Sequence, residues 1–196
     1  WGPGRTQKKG RQLAGPRYKN FRAFMKSRQS GKPFCYWLGS SDPHRGYAKG
    51  SGVKNGMDLS KIKLFPHFPD SNEVRSDVAD YYFEVQRFDS LVGDAIKALE
   101  ESGELDNTIV VMTGDHGMPF PRCKSNNYDS GARVPLAIRW PSKVKEGTVV
   151  NDFVSLVDVA PTFYQAADLD VPSDVSGRSL LSLLAGNDKS DRSYVL

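Results

Sequence analysis

The run Val110-Val111-Met112-Thr113-Gly114-Asp115-His116-Gly117, with Arg122-Cys123-Lys124 a short loop further on, gathers chemically capable side chains behind an apolar stretch. Ile109 to Met112 reads as a buried strand, and it ends in a carboxylate and an imidazole bracketed by glycines. Open α/β sheets build their sites at the carboxyl ends of strands. Gly114 and Gly117 permit a sharp turn there and the close approach of a ligand. Asp115 and His116 are donor types for a divalent metal, and Lys124 suits an anion beside it. A second candidate, His44, stands at the tip of the polar turn Gly39-Ser40-Ser41-Asp42-Pro43-His44-Arg45-Gly46, which also follows an apolar run.

Other reactive types carry less. Cys123 lies between Arg122 and Lys124, where positive charge lowers a thiol's pKa, but no triad-like partners lie near it in sequence. Cys35 sits inside an apolar run and reads as a small buried hydrophobe. Two cysteines alone suggest neither a disulfide framework nor a zinc cluster. His67, between Pro66 and Pro69, reads as an exposed loop residue that meets a ligand only if its loop folds over the cleft. Arg133 reads as a strand-start arginine paired with a nearby carboxylate.

The elements that must position these residues follow from periodicity and breakers. Asn20 caps a short helix to about Arg28, broken by Ser30-Gly31-Lys32-Pro33. Pro33 to Leu38 is a continuous apolar and aromatic run, the mark of a strand covered on both faces. Residues 46–71, rich in Gly, Pro and Ser, read as a long surface excursion. The longest helix spans roughly Ser71 to Ser102, with Val85, Phe88, Leu91, Val92, Ile96 and Leu99 forming one apolar stripe toward a sheet. Strands are expected at 107–112, at 133–140 (where Pro135 marks an edge, bulge or strand start), at 153–156, and from Ser193 onward. Asp158 is expected to cap a helix to about Ala167, with Pro161 in its first turn. A last short helix spans Ser179 to Ala185, ended by Gly186. The pattern predicts an α/β fold with a mainly parallel or mixed sheet flanked by helices, incomplete within this sequence. Segments 40–45 and 115–124 both follow strands, so parallel pairing would bring them to one sheet edge.

With 196 residues, 38% hydrophobic and 26% charged, the chain is ordinary globular material with room for one good core. No apolar run approaches the roughly 18 residues of a membrane span. The opening Trp1-Gly2-Pro3-Gly4-Arg5 has no signal-peptide pattern, and a start on Trp reads as a fragment or a processed product. The net charge of +4 hides an asymmetry: residues 1–41 hold ten Lys or Arg and no acid, and the remainder carries −6. Such an arm suits a heparin-like polyanion or a solvated rim. Aromatic residues are not spaced through it as stacking platforms, which speaks against nucleic acid.

These segments together resemble the sulfatases of the alkaline phosphatase superfamily, from about Gly31 to Leu196. The resemblance rests on Gly39-Ser40-Ser41-Asp42-Pro43-His44-Arg45, Thr113-Gly114-Asp115-His116-Gly117, Tyr128-Asp129-Ser130-Gly131-Ala132-Arg133-Val134-Pro135, Asp152 to Ala167, and Gly177-Arg178-Ser179-Leu180-Leu181, in the family's order. The Met118-Pro119-Phe120-Pro121 insert is most similar to the sulfamidase-like branch, which removes N-linked sulfate from heparan sugars. The resemblance implies an alkaline phosphatase-like fold. It makes Asp115 a calcium ligand and His116 a second ligand or sulfate contact. Lys124 becomes a fixed charge on a sulfate or leaving-group oxygen, and His44 the group that protonates or hydrogen-bonds the departing atom. It implies a sulfated carbohydrate substrate and a periplasmic, lysosomal or extracellular setting. Residues 1–190 would be the later part of the catalytic α/β domain, and 191–196 the start of a smaller subdomain.

The family's nucleophile is a formylglycine made from Cys or Ser in a Cys/Ser-x-Pro-x-Arg motif. Neither cysteine here has Pro two residues on. Ser41-Asp42-Pro43-His44-Arg45 fits the bare pattern, but Gly46-Tyr47-Ala48-Lys49-Gly50-Ser51-Gly52 cannot easily continue as the required helix. The chain is thus expected to lack its nucleophile and further aspartate ligands, which would lie upstream, and to be inactive alone. Two rivals stand beside the sulfatase reading. One is a phosphodiesterase or phosphonate hydrolase of the same superfamily, and the other is a non-catalytic module that holds sulfated glycan.

Overall fold

The computed structural model describes residues 16–187, 190 and 192–195. Asn20 caps α1 (Phe21–Ser27) by accepting from the Ala23 N–H at 2.8 Å. Phe21 and Phe24 are buried, and Phe34 and Tyr36 close over Phe24 with ring centroids 5.4 and 4.7 Å away. Residues 33–38 are therefore extended, but they pair with no strand among the described residues. Alternate side chains pack inward, leaving Cys35 exposed and Trp37 86% exposed. The expected strand covered on both faces, and the buried Cys35, are both corrected by this period-two alternation.

The excursion at 46–71 is mostly exposed, as expected, but three of its residues, Gly52, Ile62 and Phe68, are buried. It holds α2 (Ser51–Lys54) and a 3-10 turn, Leu59–Lys61. Ile62 and Phe68 join Val78, Ala79, Phe120 and Cys123 in one buried cluster. The long helix α3 (Asn72–Glu101) forms as the sequence predicts, with the Ser71 hydroxyl accepting from the Val74 N–H. It ends at Ser102, followed by Gly103 at φ +72°. Gly52 lies so tight on the Ala79 backbone of α3 that a Cβ would overlap it.

Two short strands, β1 (Val110–Thr113) and β2 (Leu136–Arg139), form a two-stranded sheet. β1 starts later than expected because Leu105–Asn107 is a 3-10 turn. β2 begins directly after Pro135, which has no N–H to give a ladder. Between them α4 (Asp129–Ala132) packs on the loop after β1: the Gly117 N–H donates to the Gly131 carbonyl at 2.9 Å.

The chain forms two compact units, the described residues to Leu105 with Met112–Ala137, and Asp106–Val111 with residues from Ile138 onward. In the second, no strand forms at 153–156; a 3-10 turn, Leu156–Asp158, leads instead into α5 (Val159–Ala166). Asp158 holds the N-cap position of α5, as expected, though its side chain makes no capping bond there; Ser155 caps the 3-10 turn in a reciprocal box with Asp158. The Asp158 carboxylate, 1% exposed, accepts from Ser155 N–H, Arg178 N–H and both prongs of Arg192. The Thr162 hydroxyl links α5 onward by donating to the Asp158 carbonyl and accepting from the Leu180 N–H, just before α6 (Leu181–Leu184). No strand begins at Ser193 among the described residues, and Leu196 lies outside them, as do Lys189 and Asp191 on either side of the expected 190/191 domain boundary.

Two outcomes follow from these contacts. Burial works to raise the Asp158 carboxyl, but Arg192 and the two backbone donors outweigh it, so its pKa lies below the usual carboxylate range. That stabilisation is complete above the unfolded pKa near 4 and is lost as pH falls through the lowered folded value. Asp158→Ala should cost about 3–5 kcal/mol at neutral pH, read from urea midpoints, and the gap to wild type should narrow toward pH 2. At Gly117 an added Cβ would run into the Ser130 carbonyl and Gly131 backbone, whereas at Gly114 the nearest atom is 3.8 Å away. Gly117→Ala should therefore lose about 1–3 kcal/mol and Gly114→Ala much less, by the same denaturation assay.

Candidate active site

The loop after β1 carries three of the four sequence-predicted residues. Asp115 stands out into solvent with its side chain 87% exposed, and His116 Nε2 lies 3.4 Å from its Oδ2. His116 Nδ1 meets the Gly117 carbonyl at 2.8 Å. That contact places the ring proton on Nδ1 and leaves Nε2 as the atom for a metal or an anion-bound proton. The loop is not free to drift: Phe120 and Cys123 are buried in the core cluster, and the Lys124 N–H donates to the Met118 carbonyl at 3.0 Å. Cys123 is 0% exposed, with its thiol against the Pro121 carbonyl, so its surroundings are those of a packing residue, not a nucleophile. Lys124 itself is half-buried. It lies between Arg122 and Ser125, which hold φ of +59° and +63°. Non-glycine residues rarely adopt that region without surrounding structure to enforce it.

His44 lies on the turn at 41–46, where its backbone N–H donates to the Ser41 carbonyl at 2.8 Å. Its Nδ1 meets the Arg45 carbonyl at 2.8 Å, so here too Nε2 is the outward ring nitrogen. No helix follows this turn until Ser51. The turn is gripped by α3 at two points. Arg87 reaches Asp42 at 3.4 Å, and Arg45 makes a two-pronged pair with Asp77, both bonds at 2.9 Å.

Arg45 also brings the two predicted segments together. Its Nη2 donates to the Pro119 carbonyl at 3.2 Å, and its guanidinium lies 4.9 Å over the Phe120 ring. The turn bearing His44 thus touches the loop bearing Asp115, His116 and Lys124. The convergence expected from parallel strands comes about through one arginine instead. His67 joins the same loop, its Nε2 3.1 Å from the Pro121 carbonyl and its ring stacked 5.5 Å from Phe65. Arg133 pairs with Asp129 at 3.9 Å, both side chains well exposed.

Arg45 and Asp77 are the residues that sequence reasoning missed. Arg45 was visible beside His44, but its partner lies 32 positions away among the charged residues of α3, where no periodicity marks it. Asp115 fits calcium's preference for oxygen donors, and the His116 imidazole fits it less well. Among the described residues no group of three or more His, Cys, Asp or Glu is placed to hold a metal ion. These donors therefore suit part of a calcium shell of six to eight ligands, not the whole.

The chain matches the sulfatase family over residues 6–169. It is 32% identical over 189 residues to the human N-sulphoglucosamine sulphohydrolase, an alignment covering 80% of this chain and 37% of that protein. It spans 22% to 37% of the length of this and two further curated relatives. A solved protein in complex with its substrate, D-glucosamine-2-N,6-O-disulfate, matches with TM-score 0.56 and 32% identity over 64% of this chain and 27% of that one. A Bacteroides thetaiotaomicron structure from work on glycosaminoglycan metabolism matches with TM-score 0.73 at 23% identity, covering 89% of this chain and 39% of that one. At that identity the likeness shows the fold, which is the alkaline phosphatase-like α/β arrangement. No helix among the described residues is long and apolar enough to cross a membrane. By its motifs and its match over most of its length, the chain belongs to the sulfatase family.

Proposed function

We propose that this chain supplies one half of the active site of a hydrolase that removes sulfate, as ester or N-sulfate, from a carbohydrate. The observation that supports this reading is the Arg45 bridge, which joins the turn bearing His44 to the loop bearing Asp115 and Lys124 although 74 positions separate Arg45 from Pro119. The Lys124 ammonium would face a sulfate oxygen, offering fixed positive charge where negative charge builds in the transition state. His44 Nε2, protonated, would donate to the departing oxygen or nitrogen, since its other nitrogen is held on a backbone carbonyl. Asp115 and His116 are the ligands this chain would contribute to a calcium ion, which when bound polarises the sulfate. The formylglycine nucleophile has no matching cysteine here. Backbone strain on both sides of Lys124 supports a functional role for that loop, because strained residues persist where surrounding structure enforces them at working sites.

A sulfated carbohydrate is the proposed substrate, supported by the relative that bears an N-sulphoglucosamine name and the neighbour crystallised with a disulfated glucosamine. A heparin-like contact through residues 1–41 is narrower than composition suggests. Arg22 and Arg28 are spent on Glu101 and Glu104 of the α3 end, and the four basic residues up to Arg11 lie outside the described residues.

The test has two arms. The isolated 196-residue chain with added calcium should show no aryl sulfate turnover above its own Lys124→Ala control. Its calcium affinity by calorimetry should be weaker than about 10⁻³ M, the low end for oxygen-ligand sites. In an active polypeptide carrying this sequence, Lys124→Ala should lower kcat for aryl sulfate by about 10²-fold or more. Unchanged kcat in that variant would sink the reading.

A further inference from the structure

The loop that carries Lys124 keeps no carbonyl idle. From Met118 to Lys124 each one accepts a hydrogen bond. Those of Met118, Phe120 and Cys123 are taken by N–H groups of the loop itself, and that of Lys124 by the Asn126 side-chain amide. The other three are taken by side chains from elsewhere: Arg45 on Pro119 at 3.2 Å, His67 on Pro121 at 3.1 Å and Ser130 on Arg122 at 2.8 Å. Proline has no N–H, so at 119 and 121 the carbonyl is the sole backbone group through which a hydrogen bond can hold the loop.

His67 and Ser130 act on either side of one residue. Holding the Pro121 carbonyl fixes the peptide plane before the Arg122 Cα, and holding the Arg122 carbonyl fixes the plane after it. The two planes together set the backbone angles of Arg122. Its φ of +59° is one that a residue with a side chain keeps only under constraint. Were Arg122 to relax to negative φ, the chain would leave it in another direction, and Lys124 two residues on would move with it. His67 is itself well fixed. Its ring stacks on Phe65, with centroids 5.5 Å apart and 7° between the planes, and meets Phe68 edge-on at 4.7 Å. Phe68 is a core residue packed 5.6 Å from Phe120 of the same loop. A carbonyl only accepts, so the contact assigns the His67 ring proton to Nε2. The Cys123 thiol reaches the same carbonyl at 3.5 Å, but a thiol is a weak donor.

We propose that His67 is a positioning residue for Lys124. By donating its Nε2–H to the Pro121 carbonyl it keeps Arg122 left-handed, and so delivers the Lys124 ammonium to the reacting sulfate at a constant place. It acts through the backbone and not by touching substrate. The assignment deepens the sulfatase reading and rests on it for what Lys124 does.

Two substitutions separate the proton from the ring. His67→Phe keeps an aromatic face for Phe65 and Phe68 but has no donor, whereas His67→Gln gives up the ring and keeps an N–H at similar reach. In the isolated 196-residue chain, amide hydrogen exchange at Lys124 should quicken about tenfold in His67→Phe, the worth of one hydrogen bond. It should return most of the way in His67→Gln. Exchange along α3 should stay as in wild type, reporting that the fold is kept. Ser130→Ala, which frees the Arg122 carbonyl, should quicken Lys124 in the same way and carries the test if the Phe variant does not fold. In an active polypeptide carrying this sequence, His67→Phe should lower kcat for aryl sulfate about tenfold with KM little changed, and His67→Gln should restore it. Unchanged exchange at Lys124 overturns the proposal, as does a kcat loss that His67→Gln does not recover. If kcat falls in Lys124→Ala but not in His67→Phe, this role alone is lost. If neither variant lowers kcat, the sulfatase reading is lost with it.

Discussion

The two-pronged pair between Arg45 and Asp77, with its third contact on the Pro119 carbonyl, is the interaction on which the site depends. One planar guanidinium meets a carboxylate on a helix, a carbonyl in a loop and an aromatic ring beneath that loop. Only arginine has donors enough, in a fixed fork, to serve all three at once. The pair is half-exposed, and surface ion pairs contribute modestly to stability. Its importance is geometric: it sets where a turn and a loop meet.

Arg45 is one station on a wider arrangement along α3. Asp77, Asp80, Glu84 and Arg87 recur at three- and four-residue intervals, so they share one face of the helix. Asp80, 2% exposed, accepts from the Gly50 and Gly52 N–H groups at 2.7 and 2.8 Å and so fixes the start of α2. Arg87 lies 3.5 Å from Glu84 and reaches Asp42. Buried carboxylates are costly unless hydrogen-bonded or paired, and here the partners are the Gly50 and Gly52 N–H groups for Asp80 and Arg87 of the same helix for Glu84. The helix thus holds its loops through polar contacts along one face, beside the apolar contacts of Val78 and Ala79.

The core and the site are also one structure. Phe120 and Cys123 are core residues on the same loop as Asp115 and Lys124, and Gly117 and Gly131 let that loop lie directly on α4. Chemistry-bearing side chains can stay exposed there because their neighbours are buried. The same economy shapes the second unit, where the Asp158 carboxylate gathers the Ser155, Arg178 and Arg192 groups into one buried node.

The sequence by itself determined the elements whose signals are local. Asn20 as a cap, Gly186 past a helix end, and α3 as a long helix all depend on residues within a few positions of each other. It also identified Asp115, His116, Lys124 and His44 as candidates, because those residue types follow apolar runs and sit among glycines. Tertiary structure decided what depends on distant partners. Residues 33–38 have strand composition, yet a strand exists only where another chain segment supplies its ladder, and Phe24 instead claimed one face of the run. Cys35, expected buried, fell on the outward phase of that alternation, while Cys123 was carried into the core by its loop. The 153–156 segment became a turn because Ser155 and Asp158 satisfied each other's backbone first. The union of the two site segments was likewise illegible, since Arg45 meets Asp77 and Pro119 only once the chain has folded them into reach.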